Sequence, residues 1–437
     1  MKQSSHKLGS VGIRFDAVGL VTNAGLILPA TLGDRLGVRG LIDEHVHLGR
    51  VAGAANPGQK AMTVVASLLA GGDHIDDVNA LRSGGTAAVL GLYPAAASTV
   101  GTFLRAFTGG HARQLDAVIE DMFQRAWDLG ARPCDEVVKV DLDASLIETF
   151  GLQKQGGIKF SYQHTRGYHP LFAVVADSGE LLHARLRGGN AHSGRGAASF
   201  TRQALSRLRR ASRSREVVVR ADSGFYSGKV VKACEDHNAR LSISVRLQRT
   251  HHGLIEQIPE TAWQEIPYWQ EGSAAVAEIT YTPFGGKRSY RLIVRRVEPT
   301  PGSQLWLRGL NYSYFAFITD REGDMLELEA DHRQHAEVEL VIRDLKYGLG
   351  LNHMPSGRFG ANAAWLALNV IAHNLCRWLG RLGGLAVLHL KALRHRLFSL
   401  PARLVKSGRR TWLRFPEDWQ WEAEFSGTLT RLRALSP

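Results

Sequence analysis

Two apolar runs that each end in acid set the firmest limit on the fold. Val137-Val138-Lys139-Val140-Asp141-Leu142-Asp143 and Glu216-Val217-Val218-Val219-Arg220-Ala221-Asp222 are short and β-branched, as buried strands are. Between them, residues 171–176, the turn Asp177-Ser178-Gly179-Glu180 and residues 181–186 make a hairpin pattern, and residues 197–210 carry a helical period. Residues 229–237 continue as a helix and 241–247 as a strand. Three strands in a row point to an antiparallel meander. Strand and helix in alternation after it make the fold class mixed α/β.

A later stretch, residues 332–346, reads as an amphipathic helix. At about 100° per residue, Val338, Val341, Ile342, Leu345 and Leu349 fall on one arc. His332, His335, Glu339 and Lys346 share a second arc beside it. Charged groups at the edge of a buried stripe look into a cleft rather than to bulk water. Glu337 lies roughly 200° from Glu339 by the same arithmetic, so Glu339 is the glutamate placed for chemistry. Taken alone, the stretch also fits a surface helix with salt-bridging charges.

The chain's 437 residues suffice for about two or three domains, or for one core with insertions. A net charge of +13 favours a polyanionic partner, nucleic acid or an acidic membrane surface. Cys134, Cys234 and Cys376 lie far apart with no CxxC pair, which argues for a reducing compartment and against a structural zinc site. Met1-Lys2-Gln3-Ser4-Ser5-His6 leads into no apolar signal segment. The most hydrophobic long run, 361–379, carries Asn362, Asn369, His373, Asn374 and Arg377, so it is expected to be a buried helix and not a membrane span.

Residues 11–50 break at Gly12, Gly19, Gly25 and Gly33 and suggest short strands or an irregular arm. From 57 to 129 the pattern is helical, including 102–108 and 115–129. A small bundle there could bind DNA, although no helix-turn-helix spacing stands out. Residues 251–312 show no helical period and hold strand-like runs at 274–281 and 288–297, read as a β-rich insertion. Residues 314–320 resume the core sheet. The resulting division is 1–130 N-terminal and mostly helical, 131–250 core, 251–312 insertion, 313–385 core, and 386–437 a basic helical region.

In that last region Arg394, Arg396, Arg409 and Arg410 interleave with Phe398, Trp412 and Phe415, a mixture that suits phosphate contact and base stacking as well as a solvated basic helix. Arg207, Arg209, Arg210, Arg213 and Arg215 form a second cluster that fits a plain solvated face.

Asp141 or Asp143 at one strand end, Asp222 at another and Glu339 on a late helix supply three acidic points. Lone strand-end aspartates usually cap turns. Several carboxylates converging in a phosphate-seeking protein instead fit a two-magnesium site, because hard cations take oxygen ligands and leave positions open for substrate oxygens. Two ions about 3.5–4 Å apart can activate a water and stabilise a leaving 3′ oxygen.

Asp143-Ala144-Ser145, then Arg220-Ala221-Asp222-Ser223-Gly224-Phe225, then Glu339 ahead of Lys346, resembles the DDE transposases of bacterial insertion sequences. More narrowly, it is similar to the thirteen-eighty family, the branch with a β-strand insertion between the second aspartate and the glutamate. Gly167-Tyr168-His169-Pro170-Leu171, Arg187-Gly188-Gly189-Asn190-Ala191 and Lys346-Tyr347-Gly348-Leu349 add to the likeness, which covers about residues 60–380.

The resemblance implies an RNase H-like catalytic core and a Mg2+-dependent reaction, with Mn2+ able to substitute. Asp143, Asp222 and Glu339 would be the catalytic and metal-holding residues. Asp143 is preferred to Asp141 because acid–small–Ser/Thr is the family's form, and Asp141, on the same strand face, stays an alternative. Water would first cut DNA at the transposon ends, and the freed 3′-OH would then attack target DNA. Lys346, His332, His335 and Arg343 on the late helix, with Arg394, Arg396, Arg409 and Arg410, are the expected DNA contacts.

The branch often shows Tyr and Arg where this chain has His332 and His335, shorter and only partly charged at neutral pH. Trp263, Trp269 and Trp306 are candidates for stacking on a flipped base, or for anchoring the insertion's own core. Double-stranded DNA, both inverted repeats and target, is the expected partner, bound by a homodimer without membrane contact in a bacterial cytoplasm, at the nucleoid. The competing readings are another RNase H-like nuclease of the resolvase type and a catalytically inactive DNA-binding relic.

Overall fold

Among the described residues the strands are β1 (Leu20–Val21), β2 (Val137–Ala144), β3 (Ile147–Glu148), β4 (Gly167–Tyr168), β5 (Leu171–Val175), β6 (Glu180–Arg185), β7 (Glu216–Ala221), β8 (Arg240–Ser244), β9 (Gln264–Glu265), β10 (Ala274–Tyr281), β11 (Tyr290–Val297), β12 (Ser313–Thr319), β13 (Ala402–Ser407) and β14 (Arg410–Arg414). The computed structural model describes residues 8–157, 160, 164–212, 215–270, 272–286, 288–299, 311–386 and 389–436.

Nine strands form one mixed sheet in the order β6-β5-β2-β7-β8-β12-β11-β10-β9. The first three are antiparallel neighbours, as the meander pattern predicts. β7 then runs parallel to β2, and β8 parallel to β7. A parallel neighbour needs a crossover, which the helices Ala197–Ala211 and Gly228–Glu235 provide. Val138, Val140 and Leu142 of β2 and Val217, Val218 and Val219 of β7 are buried, as near-continuous apolar runs in a covered sheet should be.

The 25-residue helix Phe359–Gly383 is buried along most of its length. Its polar residues are committed to the sheet edge. The Leu181 N–H donates to Asn374 Oδ1, and Asn374 Nδ2 donates to the Leu181 carbonyl, both at 2.8 Å. His373 Nε2 lies 2.8 Å from the Gly179 carbonyl, and Arg377 Nε donates to the Ser178 carbonyl at 2.7 Å. The helix thus covers the otherwise free edge of β6. Among the described residues no helix is long and apolar enough to cross a membrane.

Four expectations need correction. Residues 11–50 are not mainly strands: Ile27–Arg35 and Val38–His45 are helices, and only β1 pairs, with β13. Pro29 falls in the first turn of its helix, where its missing N–H costs nothing. The helix read at 102–108 is instead Ala97–Arg105. Thr108 caps the next helix, Gly109–Ala126.

Residues 251–312, read as having no helical period, include the end of a short helix, Arg249–Ile255, and their strands β10 and β11 join the main sheet through β12. The C-terminal region is not all helical. The β13–β14 hairpin interrupts it before the helix Glu422–Ala434.

The N- and C-terminal regions close on each other. β1 pairs with β13, and the Ala24 N–H donates to the Leu400 carbonyl at 2.8 Å. A Cβ on Gly25 would lie 1.6 Å from the Leu397 carbonyl oxygen, so only glycine permits that backbone approach.

Candidate active site

β2 and β7 lie side by side and parallel, with pairs running to Asp141↔Arg220 and Leu142↔Ala221. Asp143 and Asp222 are the next residues, so the two strands deliver both carboxyls at the same end of the sheet. Asp143 Oδ1 accepts the Ala144 N–H at 2.6 Å, and Asp222 Oδ1 accepts the Gly224 N–H at 3.0 Å. Glu339 comes from the helical segment Val338–Arg343, whose Val338, Val341 and Ile342 are buried as the apolar arc predicts.

The helical rod behind Glu339 is longer and less regular than its sequence suggests. It begins at Met325, where Asp324 Oδ1 accepts the Leu326 N–H at 2.8 Å. It tightens to a 3-10 turn over Gln334–Glu337 and widens to a π turn over Asp344–Gly348. This breaks the uniform angular period, and the four residues expected on one arc part company.

His335 and Lys346 stay at the end of β2. His335 Nε2 lies 3.1 Å from the Leu142 carbonyl oxygen, and Lys346 Nζ donates to the Leu146 carbonyl at 2.7 Å. His332 turns to the sheet: its ring nitrogens each lie 2.9 Å from the hydroxyls of Ser242 and Ser244, and the ring stacks on Phe317 at 4.1 Å. Burial pushes its pKa down to about 3. It is therefore a neutral packing residue, and its assignment as a DNA contact is corrected.

The acids sense one another. Burial is the main cause pushing the Asp143 carboxyl up to about 6, and the charges of Asp222 and Glu339 add to it against the Ala144 N–H and His335. Asp222 is also raised, by burial, with His335, the Gly224 and Phe225 N–H groups and His169 opposing. None of the three carboxylates has an ion pair among the described residues. Their oxygens do not all fall within 4.8 Å of one another. Among the described residues only Asp73, His74 and His353 meet that measure.

Asp141 is spoken for. Arg220 Nε and Nη2 donate to its two oxygens at 2.7 and 2.8 Å, and both residues are 1% exposed. Arg220 Nη1 continues to the Asp331 carbonyl at 2.6 Å, and Lys139 Nζ to Asp331 Oδ1 at 2.8 Å. This buried network ties β2 and β7 to the helix Met325–Arg333 directly behind the carboxylates. It leaves Asp141 no free oxygen for a metal.

His169 belongs to the motif Gly167-Tyr168-His169-Pro170-Leu171 and is not among the site residues the sequence points to. The structure buries it where its charge reaches Asp222, with Nδ1 2.5 Å from the Ala191 carbonyl oxygen. Arg187 holds that loop, donating to the carbonyls of His169 (2.8 Å), His192 (3.0 Å) and Arg195 (2.7 Å). The motif Gly167-Tyr168-His169-Pro170 was the available signal.

Of the other expected DNA contacts, Arg343, Arg409 and Arg410 are exposed. Arg396 is half-buried, with its guanidinium 5.5 Å from the Trp421 ring centre. Arg394 is corrected: it donates to the carbonyls of Leu68, Leu69 and Gly348 at 3.0, 3.0 and 2.7 Å and so serves packing. Arg207 and Arg209 are likewise internal, Arg207 beside Asp116 and Glu120 and Arg209 on the carbonyls of Arg215, His237 and Asn238. Arg213 and Trp306 lie outside the described residues. Trp263 has the Arg296 guanidinium 4.4 Å from its ring centre, and Trp269 has those of Arg295 and Arg333 at 5.2 and 5.1 Å.

In the β13–β14 hairpin, Arg403 pairs with Arg414, Val405 with Trp412 and Ser407 with Arg410. Directly opposed residues and alternate positions share a face, so Arg403, Arg410, Arg414 and Trp412 stand on one side. All four are exposed, and none of these arginines has an ion pair among the described residues.

A family model described as Transposase DDE domain group 1 matches residues 3–437. No curated protein matches the chain. Among solved structures, it is similar to the cryo-EM structure of a piggyBac transposase synaptic complex with hairpin DNA, at 12% identity and a TM-score of 0.45, over 86% of this chain and 79% of that one.

Proposed function

The chain belongs to the transposase DDE domain family, group 1, and from that premise we propose that it is the transposase of a bacterial insertion sequence of the thirteen-eighty type, cutting transposon ends and joining them to target DNA. The observation that supports the reading most directly is that two adjacent parallel strands deliver Asp143 and Asp222 at one end of the sheet, with the charge of Glu339 near enough to act on Asp143 and none of the three in an ion pair among the described residues.

The donor set fits Mg2+. It is all oxygen, and a hard cation would favour the charged form of Asp143, whose pKa burial chiefly, and the charges of Asp222 and Glu339 in addition, push up. Held by these three residues, Mg2+ would make a bound water a better nucleophile and stabilise the departing 3′ oxygen. Hydrolysis forms a new phosphorus–oxygen bond from water and breaks the bond to the 3′ oxygen, which leaves as a hydroxyl. In the joining step that hydroxyl attacks a target phosphodiester, forming one such bond and breaking another.

The chain's own residues orient these steps. Asp143 and Asp222 are held by their strand ends and by N–H groups, and Glu339 by its buried helix face. Lys346, pinned to the Leu146 carbonyl, brings a positive charge to the Asp143 side of the site for a phosphate oxygen. Arg343 and the basic face of the β13–β14 hairpin, with Arg409 beside it, contact the DNA backbone, and Arg396 extends that surface.

We read β6-β5-β2-β7-β8 as an RNase H-like core, three antiparallel strands followed by two parallel ones. On this reading residues 131–250 and 313–385 are its two parts, 251–312 the insertion, and 1–130 and 386–437 the flanking DNA-binding regions. The protein works as a homodimer pairing two ends at the nucleoid.

Cleavage of a plasmid carrying the gene's flanking DNA tests the proposal. Wild type with Mg2+ should cut at the element's ends, and EDTA or Asp222→Asn should stop it. Binding of the ends without any Mg2+-dependent cut by wild type would overturn the catalytic roles.

A further inference from the structure

We propose that Asp73, His74 and His353 form a second metal site, for one divalent transition-metal ion of the zinc class, separate from Asp143, Asp222 and Glu339. The proposal does not depend on the transposase reading. Asp73 and His74 follow the helix Pro57–Ala70, and His353 follows the turn that ends the Glu339-bearing rod, so the three come from distant parts of the sequence.

Their ligand atoms nevertheless all lie within 4.8 Å of one another. The Asp73 carboxylate stands between the rings: Oδ1 contacts His74 Nδ1, and Oδ2 lies 2.9 Å from His353 Nδ1. The imidazole centres are 4.5 Å apart, with their planes inclined at 32°.

The backbone builds this convergence. Asp77 Oδ2 accepts the N–H groups of both Asp73 and His74 at 2.9 Å and sets the loop. On the other side Gly350 has φ +67°, and a Cβ there would lie 2.3 Å from Asp73 Cβ. Only glycine lets that turn press against Asp73. The His353 N–H then donates to the Gly350 carbonyl at 3.0 Å, which aims His353 back at the carboxylate. The cluster is thus held on one side by the Asp77 carboxylate and on the other by the close backbone approach at Gly350.

Two imidazole nitrogens and one carboxylate oxygen suit Zn2+, and Co2+ or Ni2+ as probes, rather than Mg2+ or Ca2+, which take oxygen alone. Among the described residues no cysteine joins such a cluster, so the ligands are nitrogen and oxygen. Three protein ligands leave a fourth position for water, facing a cleft of about 620 Å³ that Glu148 and Lys154 also line. A bound ion would join the N-terminal helical region to the segment just beyond Lys346 and so fix the far end of the rod that carries Glu339.

The full chain, stripped with a chelator and dialysed against Zn2+, should retain one equivalent at this site. Asp222→Asn, which disables the carboxylate cluster, should retain it too, and Co2+ should show the visible d–d bands of a nitrogen–oxygen site in both. His353→Ala should lose the bands and weaken Zn2+ binding by more than about 10-fold, since even outer-shell changes cost that much. His74→Ala, at an exposed position, should do the same and guards against a folding defect in the first variant. No retained Zn2+ in the wild type, or retention in both histidine variants equal to that of the wild type, would overturn the site.

Discussion

At the residue scale, chemistry and packing divide the late helix between neighbours. Glu339, whose charge acts on Asp143, is expected to be essential and Glu337, which is not among the charges acting on Asp143, dispensable. Glu339→Gln should lower end cleavage by at least about 100-fold, the scale on which one transition-state contact acts, while a mobility-shift assay still shows end binding. Glu337→Gln should cleave at the wild-type rate.

His332 has a different role and a pH signature. Its folded pKa is near 3, and an unfolded histidine titrates near about 6.5. Below that value the unfolded chain takes up a proton that the folded chain refuses. The stability is therefore present above about pH 6.5 and lost progressively as the pH falls toward 3. Urea midpoints measured across that window should fall less steeply in His332→Gln than in wild type.

At the scale of elements, the network Asp141–Arg220–Asp331–Lys139 joins β2, β7 and the helix Met325–Arg333. A buried pair contributes little net stability compared with apolar residues, but removing one partner strands the other charge. Arg220→Met should cost about 3–5 kcal/mol in urea unfolding. Asp141→Asn combined with Arg220→Met should cost less than the two single changes summed. An additive double variant would mean that the pair is not coupled.

Residues 251–312 follow the same logic of elements. Their β10 and β11 carry buried Val276, Ala277, Leu292, Ile293 and Val294, so they find cover by continuing the sheet at β12.

For the whole molecule, the charge of +13 is not spread evenly in its use. Arg207, Arg209 and Arg394 are spent internally on carbonyls and carboxylates. The hairpin arginines remain free of ion pairs among the described residues. Arg409→Ser and Arg410→Ser should each weaken DNA binding across sequences and reduce the slope of log K against log salt by about 1. Arg394→Ser should instead lower the melting temperature, because it leaves the Gly348 carbonyl and its partners unbonded, and should leave the salt slope unchanged.

The sequence by itself determined the order of the core elements. Short β-branched runs and one long apolar helix can be satisfied only by burial, so β2, β5, β6, β7, β12 and Phe359–Gly383 were legible. It also singled out the acids, since charge at the end of a buried run is costly without a purpose. What it could not supply was direction and partner.

Asp141 and Asp143 share a strand face, and only the resemblance prefers Asp143 along the chain; the register of β2 against β7 then puts Arg220 beside Asp141 and not beside Asp143. His332, His335, Glu339 and Lys346 share an arc on an ideal helix, and only the 3-10 and π turns separate them. The helix Ile27–Arg35 was hidden because its cover comes largely from Phe359–Gly383 and Glu422–Ala434, far along the chain, and Val38–His45 because it packs on Pro57–Ala70 and Gly109–Ala126. Asp73, His74 and His353 meet only because Gly350 lets two distant turns touch. Periodicity is a local property, whereas partners across a sheet or between distant loops are fixed by packing, which no window of sequence contains.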